Sequence, residues 1–487
     1  MAKNVSLFGL NRPEYPPSRE LFMSELAWSV ERNVNKRQEK KAGFAGYAYG
    51  ELSAKAKAGF EFTRPEHGSK KFEDLCTALV NGRKARDRNS AAKVVSILLE
   101  ELEAPYSSKA LRSAATPLSI ETALLQDLRG ITGKRNPANL ALNLEKMYAL
   151  GGGKTSVAAG WTSAVMSPSG GGMPAWIRDF FAGVTPGDMD AIVQTVKQHG
   201  PSHVIKDLRQ PRWLPSNTPY SWFAGAWDNL CERGWVDQMP RRRWTDWASC
   251  VARTALATGF MFEMHLYRRL CAALITEEDA GDAVRSMMDD SNRLFSWDDL
   301  MQKSAADVGP IVRQLADSGS ACRELINDLV SEDGEAVPAF AEFDQEGNGL
   351  TSWLQAARKV CKGRSGFEQE VGAAMAAKKS GTANNTWETI RYSLLARSSD
   401  GEQDLYALLK SAGKYTWVEP GQEWLVTISS LQARGPGQLS RMTDLTSALA
   451  SIGIDASQRT LVSRLESYGL ARSSHDADDA LEIMPGF

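Results

Sequence analysis

The residues best suited to chemistry are dispersed along this chain. The six cysteines, Cys76, Cys231, Cys250, Cys271, Cys322 and Cys361, contain no CxxC pair, and the five histidines are equally scattered. A zinc site gathers four ligands, usually at tight local spacing. No metal site is expected, and the thiols should be reduced and mostly buried. His199 and His203 are four apart, but Gly200-Pro201 breaks any helix that would align them. Glu263 and His265 are two apart and point to different sides of a helix.

Three loop motifs fail at defining positions. Gly151-Gly152-Gly153-Lys154-Thr155 resembles the end of a phosphate loop, but the required first glycine is Tyr148 and the preceding segment has a helical pattern. A helix ending in glycines accounts for it better. Asp344-Gln345-Glu346-Gly347-Asn348-Gly349 begins like a calcium loop, yet its twelfth position is Gln355, where a bidentate glutamate is needed. No Gly-x-Ser-x-Gly elbow occurs. No catalytic residue and no cofactor follow from these patterns. A carboxylate pair assembled only in three dimensions stays open.

Charge is more informative. Between Arg32 and Lys93 there are fifteen Lys plus Arg against seven Asp plus Glu. The densest pieces contain Lys36, Arg37, Lys40 and Lys41, then Arg83, Lys84, Arg86 and Arg88. Such clustering suits contact with phosphates, and Phe44, Tyr47, Tyr49, Phe60 and Phe62 could stack on bases. The alternative is a solvated helical face with its aromatics in the core. Eight of the fourteen tryptophans lie between Trp161 and Trp247. They form either a compact core or a contact surface, since Trp and Arg dominate interface hot spots. Arg241, Arg242 and Arg243 beside Trp244 are the candidates for partner or anion contact.

The elements that must position these residues read as mainly α. The chain has 487 residues, 43% of them hydrophobic and 24% charged, which fits a multidomain globular protein. Four regions follow from composition: a basic helical region (1–150), a Trp-rich compact region (151–275), a helical region (276–412) and a terminal module (413–487). The strongest helical patterns run over Ala91–Leu102, Ser119–Leu128 and Trp244–Ile275. Further helices are predicted at Ser296–Gln302, Val308–Leu315, Ala321–Val330, Ser352–Val360 and Phe367–Lys379, with a linker at Ser380–Asn385. No apolar run is long enough to span a bilayer or serve as a signal peptide, so a cytoplasmic address without membrane contact is expected.

From about Glu423 the pattern sharpens. Trp424, Leu425, Ile428 and Leu431 share a helical face, and Gly435-Pro436-Gly437 stops it. Leu445, Leu449 and Ile452 mark a second helix ended by Gly453. Asp455-Ala456-Ser457-Gln458 looks like a capping box for a third, which runs through Leu465 to Tyr468-Gly469. Leu470-Ala471 and Leu481-Glu482-Ile483 flank a polar turn. The run Leu461-Val462-Ser463-Arg464-Leu465-Glu466-Ser467-Tyr468-Gly469-Leu470 resembles the third helix of winged-helix proteins. The resemblance covers about an eighth of the chain and implies a fold, not a ligand.

From Trp417 onward there are five arginines, no lysine and nine Asp plus Glu. Asp476, Asp478 and Asp479 would give the wing the wrong sign for phosphates, leaving Arg459 and Arg464 as the only groove-facing candidates. Docking of a protein partner through the acidic wing is therefore expected. The function expected overall is a non-catalytic adaptor or scaffold, joining other protein subunits and possibly DNA. A bacterial antiphage defence system would suit that profile. A nuclease-like enzyme and a winged-helix transcriptional regulator are the alternatives.

Overall fold

The computed structural model describes residues 8–10, 12–13, 22–38, 62–104, 114–126, 139–167, 173–184, 189–204, 210–291, 294–332, 337, 349–378, 381–395, 405–471 and 481–487. It is mainly helical, with three two-stranded sheets among the described residues. The first helices are α1 (Phe22–Gln38), α2 (Lys70–Asn81), α3 (Arg88–Leu102), α4 (Ile120–Ala123), α5 (Leu140–Leu150), α6 (Val157–Val165), α7 (Ala175–Val184) and α8 (Asp190–His199). Next come α9 (Pro219–Glu232), α10 (Trp235–Gln238), α11 (Arg241–Leu274) and α12 (Ala280–Ser291). Strand β1 (Phe295–Trp297) precedes α13 (Gly309–Glu332), α14 (Gly349–Gly363), α15 (Phe367–Met375) and α16 (Gly381–Leu394). The chain closes with β2 (Leu409–Ala412), β3 (Tyr415–Val418), α17 (Gln422–Ser430), β4 (Ser440–Arg441), α18 (Met442–Ser451), β5 (Ile454–Ala456), α19 (Gln458–Ser467) and β6 (Glu482–Ile483).

Helix α11 organises the rest. Its 34 residues span about 51 Å at 1.5 Å per residue. It is apolar nearly all round and buries residues from Arg241 to Leu274, the pattern of a helix enclosed by others. Helices α9, α13 and α16 pack on it, joined by α12, α14 and α17. Six of the tryptophans clustered in sequence (161, 222, 227, 235, 244 and 247) lie in this core, which resolves the choice between core and contact surface for them. One continuous apolar cluster runs from Phe8 to Ile483 and crosses residues 150, 275 and 412. A second, smaller cluster joins Phe72, Leu75 and Leu79 of α2 to Val95 and Leu99 of α3 and Phe181 of α7.

Buried carboxylates serve as helix caps. Glu25 Oε2 accepts from the Ala141 N–H at 2.7 Å, at the start of α5. Both Glu145 oxygens accept from the first turn of α6, from Val157 and Ala158, each at 2.8 Å. A carboxylate at a helix N-terminus satisfies orphan donors and complements the dipole.

The glycine run after α5 has steric causes. A methyl at Gly151 would meet the Tyr220 carbonyl, and one at Gly153 would meet the Tyr148 ring, while Gly152 has φ +83°. Helix α5 thus ends against α9, and the three glycines allow that approach. Gly151→Ala should cost about 1–3 kcal/mol. A fall in the denaturant midpoint at unchanged m-value checks this; an unchanged midpoint contradicts it.

Several predicted elements differ. Residues 295–297 form a strand because they pair in parallel with β5, Phe295 opposite Ile454 and Trp297 opposite Ala456. The helices predicted at Val308–Leu315 and Ala321–Val330 are one helix, α13. Residues 381–385 of the expected linker open α16, where Ala383 and Thr386 are buried against the core. The rejected calcium-loop motif at 344–349, apart from Gly349, lies outside the described residues.

Candidate functional site

The basic residues at 83–88 sit at the tip of the α2–α3 hairpin. Helix α2 ends as the Lys84 and Ala85 N–H groups both donate to the Leu79 carbonyl, at 2.8 and 3.2 Å. Arg83 turns the chain with φ 54°, a left-handed conformation costly outside glycine. Asp87 then accepts from the Ser90 N–H at 2.8 Å and starts α3. This tight turn lifts Arg83, Lys84, Arg86 and Arg88 into solvent together. Arg88 is held as a fork on Glu73, with Nε donating to Oε2 at 2.7 Å and a second contact from Nη2 to Oε1. The pair lowers the Glu73 carboxyl and raises Arg88, the hydrogen bond being the main cause of each shift. Arg83, Lys84 and Arg86 make no ion pair among the described residues. Lys36 and Arg37 lie on α1, but their side chains, like Lys40 and Lys41, are outside the described residues.

The second candidate group lies inside the fold. Trp244 is fully buried and donates to the Leu230 carbonyl at 3.2 Å. Arg242 donates to the Glu101 carbonyl at 2.9 Å and to Thr116 Oγ1 at 3.1 Å, and pairs with Asp246 at 3.2 Å. Arg243 donates to Glu423 Oε1 at 2.9 Å and lies over the Phe487 ring. Arg242 and Arg243 thus tie α11 to α3 and α17 rather than standing open to a partner. Arg241 is buried as well, and its guanidinium donates to the Val165 carbonyl at 3.2 Å.

The terminal module is joined to the same helix. Trp424 Nε1 donates to Thr254 Oγ1 at 3.0 Å, and Asn229 Nδ2 donates to the Leu431 and Ala433 carbonyls, each at 2.7 Å. Helices are found at all three predicted places, 422–430, 442–451 and 458–467. Strand β4 pairs antiparallel with β6, Ser440 opposite Ile483, and Ala471 bridges Ile483 from the other side. The cap of α19 is Ser457, which accepts from the Thr460 N–H at 3.3 Å; Asp455 is consumed in strand β5. Arg459 is exposed, whereas Arg464 Nε donates to Asp299 Oδ2 at 2.7 Å. That bond raises the arginine above its ordinary value. Asp476, Asp478 and Asp479 are outside the described residues.

One polar cluster gave no sequence signal. Glu263 of α11, Arg323 of α13 and Lys146 of α5 converge beneath the N-terminal segment. Lys146 Nζ donates to the Gly9 carbonyl at 2.5 Å and Arg323 Nη2 to the Leu10 carbonyl at 2.9 Å. Asn139 Nδ2 holds the Arg12 carbonyl at 2.9 Å, and Phe8 is enclosed by Trp213, Tyr220 and Phe262. These side chains come from positions far apart in sequence, so no spacing could announce them. Their geometry secures a backbone segment.

Burial pushes Lys146 down to about 8, opposed by Glu263 and assisted by Arg323. With a folded value below the unfolded one, the unfolded chain binds more protons above about pH 8. The stability of wild type relative to Lys146→Met should therefore rise with pH above that point, by at most about 1.4 kcal/mol per unit. Urea melts of both proteins across that range check it; a flat difference refutes it.

All six cysteines are buried thiols outside any disulfide, and no group of three or more His, Cys, Asp or Glu among the described residues could hold a metal ion. No described helix is long and apolar enough to cross a membrane. Comparison with known proteins gives no match to any family model, curated protein or solved structure.

Proposed function

We propose that this protein is a non-catalytic scaffold that touches nucleic-acid phosphates through the α2–α3 hairpin tip and docks a protein partner through a C-terminal winged helix. The observation that carries the proposal is the tip itself: three cations, Arg83, Lys84 and Arg86, project together from a tight turn without internal counterions among the described residues. Phosphate neutralisation by such groups supplies affinity that does not depend on sequence.

The winged-helix assignment draws support from the order α17, β4, α18, β5, α19, Ala471, β6, with β6 lying between β4 and Ala471 and β5 pairing with β1. The third helix of a DNA-reading winged helix needs free cations. Here Arg464 is engaged by Asp299, and the turn before α19 is covered by β1. Those contacts favour docking over groove reading.

The test is fluorescence anisotropy with two labelled duplexes of unrelated sequence. Equal affinities, falling steeply with salt, are expected. A preference above about tenfold, the discrimination of one well-read base pair, would favour the regulator instead. Duplex cleavage by the purified protein would favour the enzyme.

A further inference from the structure

We propose that the groove holding Phe8, Gly9 and Leu10 is a docking site for an extended peptide of a partner protein, reading aromatic–glycine–aliphatic, which the chain's own segment covers in cis. Phe8 is 4% exposed and Leu10 1%, so both side chains seat inward, while Gly9 is exposed. Phe8 enters a pocket of three rings, its centroid 5.6 Å from Trp213, 5.3 Å from Tyr220 and 6.1 Å from Phe262. Three side chains then take the main chain in register. Lys146 of α5 bonds the Gly9 carbonyl, Arg323 of α13 the Leu10 carbonyl, and Asn139, the N-cap of α5, the Arg12 carbonyl. Main-chain hydrogen bonds for affinity, with a pocket for an anchoring side chain, are how grooves recognise extended peptides. Gly9 sets the path: its φ is +64°, and a methyl there would meet nothing within 4 Å. Backbone conformation alone therefore calls for glycine.

The walls of the groove are joined to one another and not only through its occupant. Glu263, fully buried, lies 3.8 Å from Arg323 and links α11 to α13. Tyr220 Oη donates to the Gly259 carbonyl at 3.2 Å and links α9 to α11. Helix α5 packs on both α9 and α11. Departure of the segment thus leaves an aromatic pocket beside two cations whose carbonyl acceptors have gone. A purely structural anchor needs only apolar burial, and charged side chains placed beneath a segment add a desolvation cost. Here they read carbonyl oxygens, the one feature that every extended peptide presents. Because the resident segment is tethered, its effective concentration is on the order of millimolar, and a free peptide has to outcompete it.

The probe is a labelled synthetic peptide with the sequence of residues 5–13, titrated with the full chain and followed by fluorescence anisotropy. Phe8→Ala removes the resident ring and should bind the probe about a hundredfold more tightly than wild type, whose groove is filled. A probe carrying alanine in place of the phenylalanine should not bind, and one carrying alanine in place of the glycine should bind about tenfold more weakly. Gly9→Ala in the full chain strains only an exposed position, so it should fold normally and bind the unaltered probe about tenfold more tightly than wild type. If Phe8→Ala does not fold, Gly9→Ala decides alone. Equal binding of the probe by wild type and Gly9→Ala would overturn the proposal, as would equal binding of probes with and without the ring. A wild-type dimer that Phe8→Ala disperses would give the groove to a second copy of this chain and overturn the partner reading. Duplex binding should be unaltered in Gly9→Ala, so failure here leaves the hairpin proposal standing.

Discussion

Replacing Trp424 by alanine is expected to destabilise the protein by about 3–5 kcal/mol, the usual cost of deleting a fully buried indole. The side chain is 1% exposed and bonds Thr254 on α11. Its loss opens a cavity where the terminal module meets the central helix, and leaves Arg243 and Glu423 bridging a loosened contact. Because one apolar cluster joins that module to α11, unfolding should remain a single transition moved to lower denaturant. Trp424→Phe should recover more than half of the loss. A separate low-stability transition for residues 413–487 would show instead that the module stands apart, and a loss under about 1 kcal/mol would show that its seat on α11 is slack.

The second large effect concerns the hairpin tip. Arg83→Glu, Lys84→Glu and Arg86→Glu together should weaken duplex binding by about 10²- to 10³-fold near 0.1 M salt. Each phosphate contact contributes about 0.9 to the slope of log affinity against log salt, so the slope should fall by about three. Folding should be unaffected, because all three side chains are exposed and none pairs with a described residue. Arg88→Gln is the contrasting variant. Its guanidinium is already committed to Glu73, so binding should change little. A larger effect from Arg88 than from the triple variant would put the phosphate contact elsewhere.

How much was legible in the sequence depended on how local each cause was. Helix α3 and the three terminal helices could be placed because the apolar spacing of each lies within a dozen residues. Residues 296–302 were misread as a helix because the force that makes β1 a strand is pairing with Ile454–Ala456, some 160 positions away. Gly381–Asn385 has linker composition, yet Ala383 is buried in the core, and tertiary packing outweighs the propensity of Gly, Thr and Asn. The three arginines beside Trp244 suggested a surface because arginine is usually exposed. Arg242 and Arg243 instead bond Thr116 and Glu423, and Arg241 is buried. The charge at 83–88 was legible because a run of arginine and lysine is a local signal, whereas the turn that gathers it, capped by Asp87, was not read. Nothing in the fold bears on the expected defence setting.

Amide hydrogen exchange of the full chain, with and without a duplex, tests the central claim most directly because it reports where the nucleic acid sits. Slowed exchange confined to residues 82–90, with α19 unchanged, is the result that a phosphate-touching scaffold requires. Protection centred on α19 around Arg459, or no protection anywhere under conditions where the duplex is bound, would contradict it.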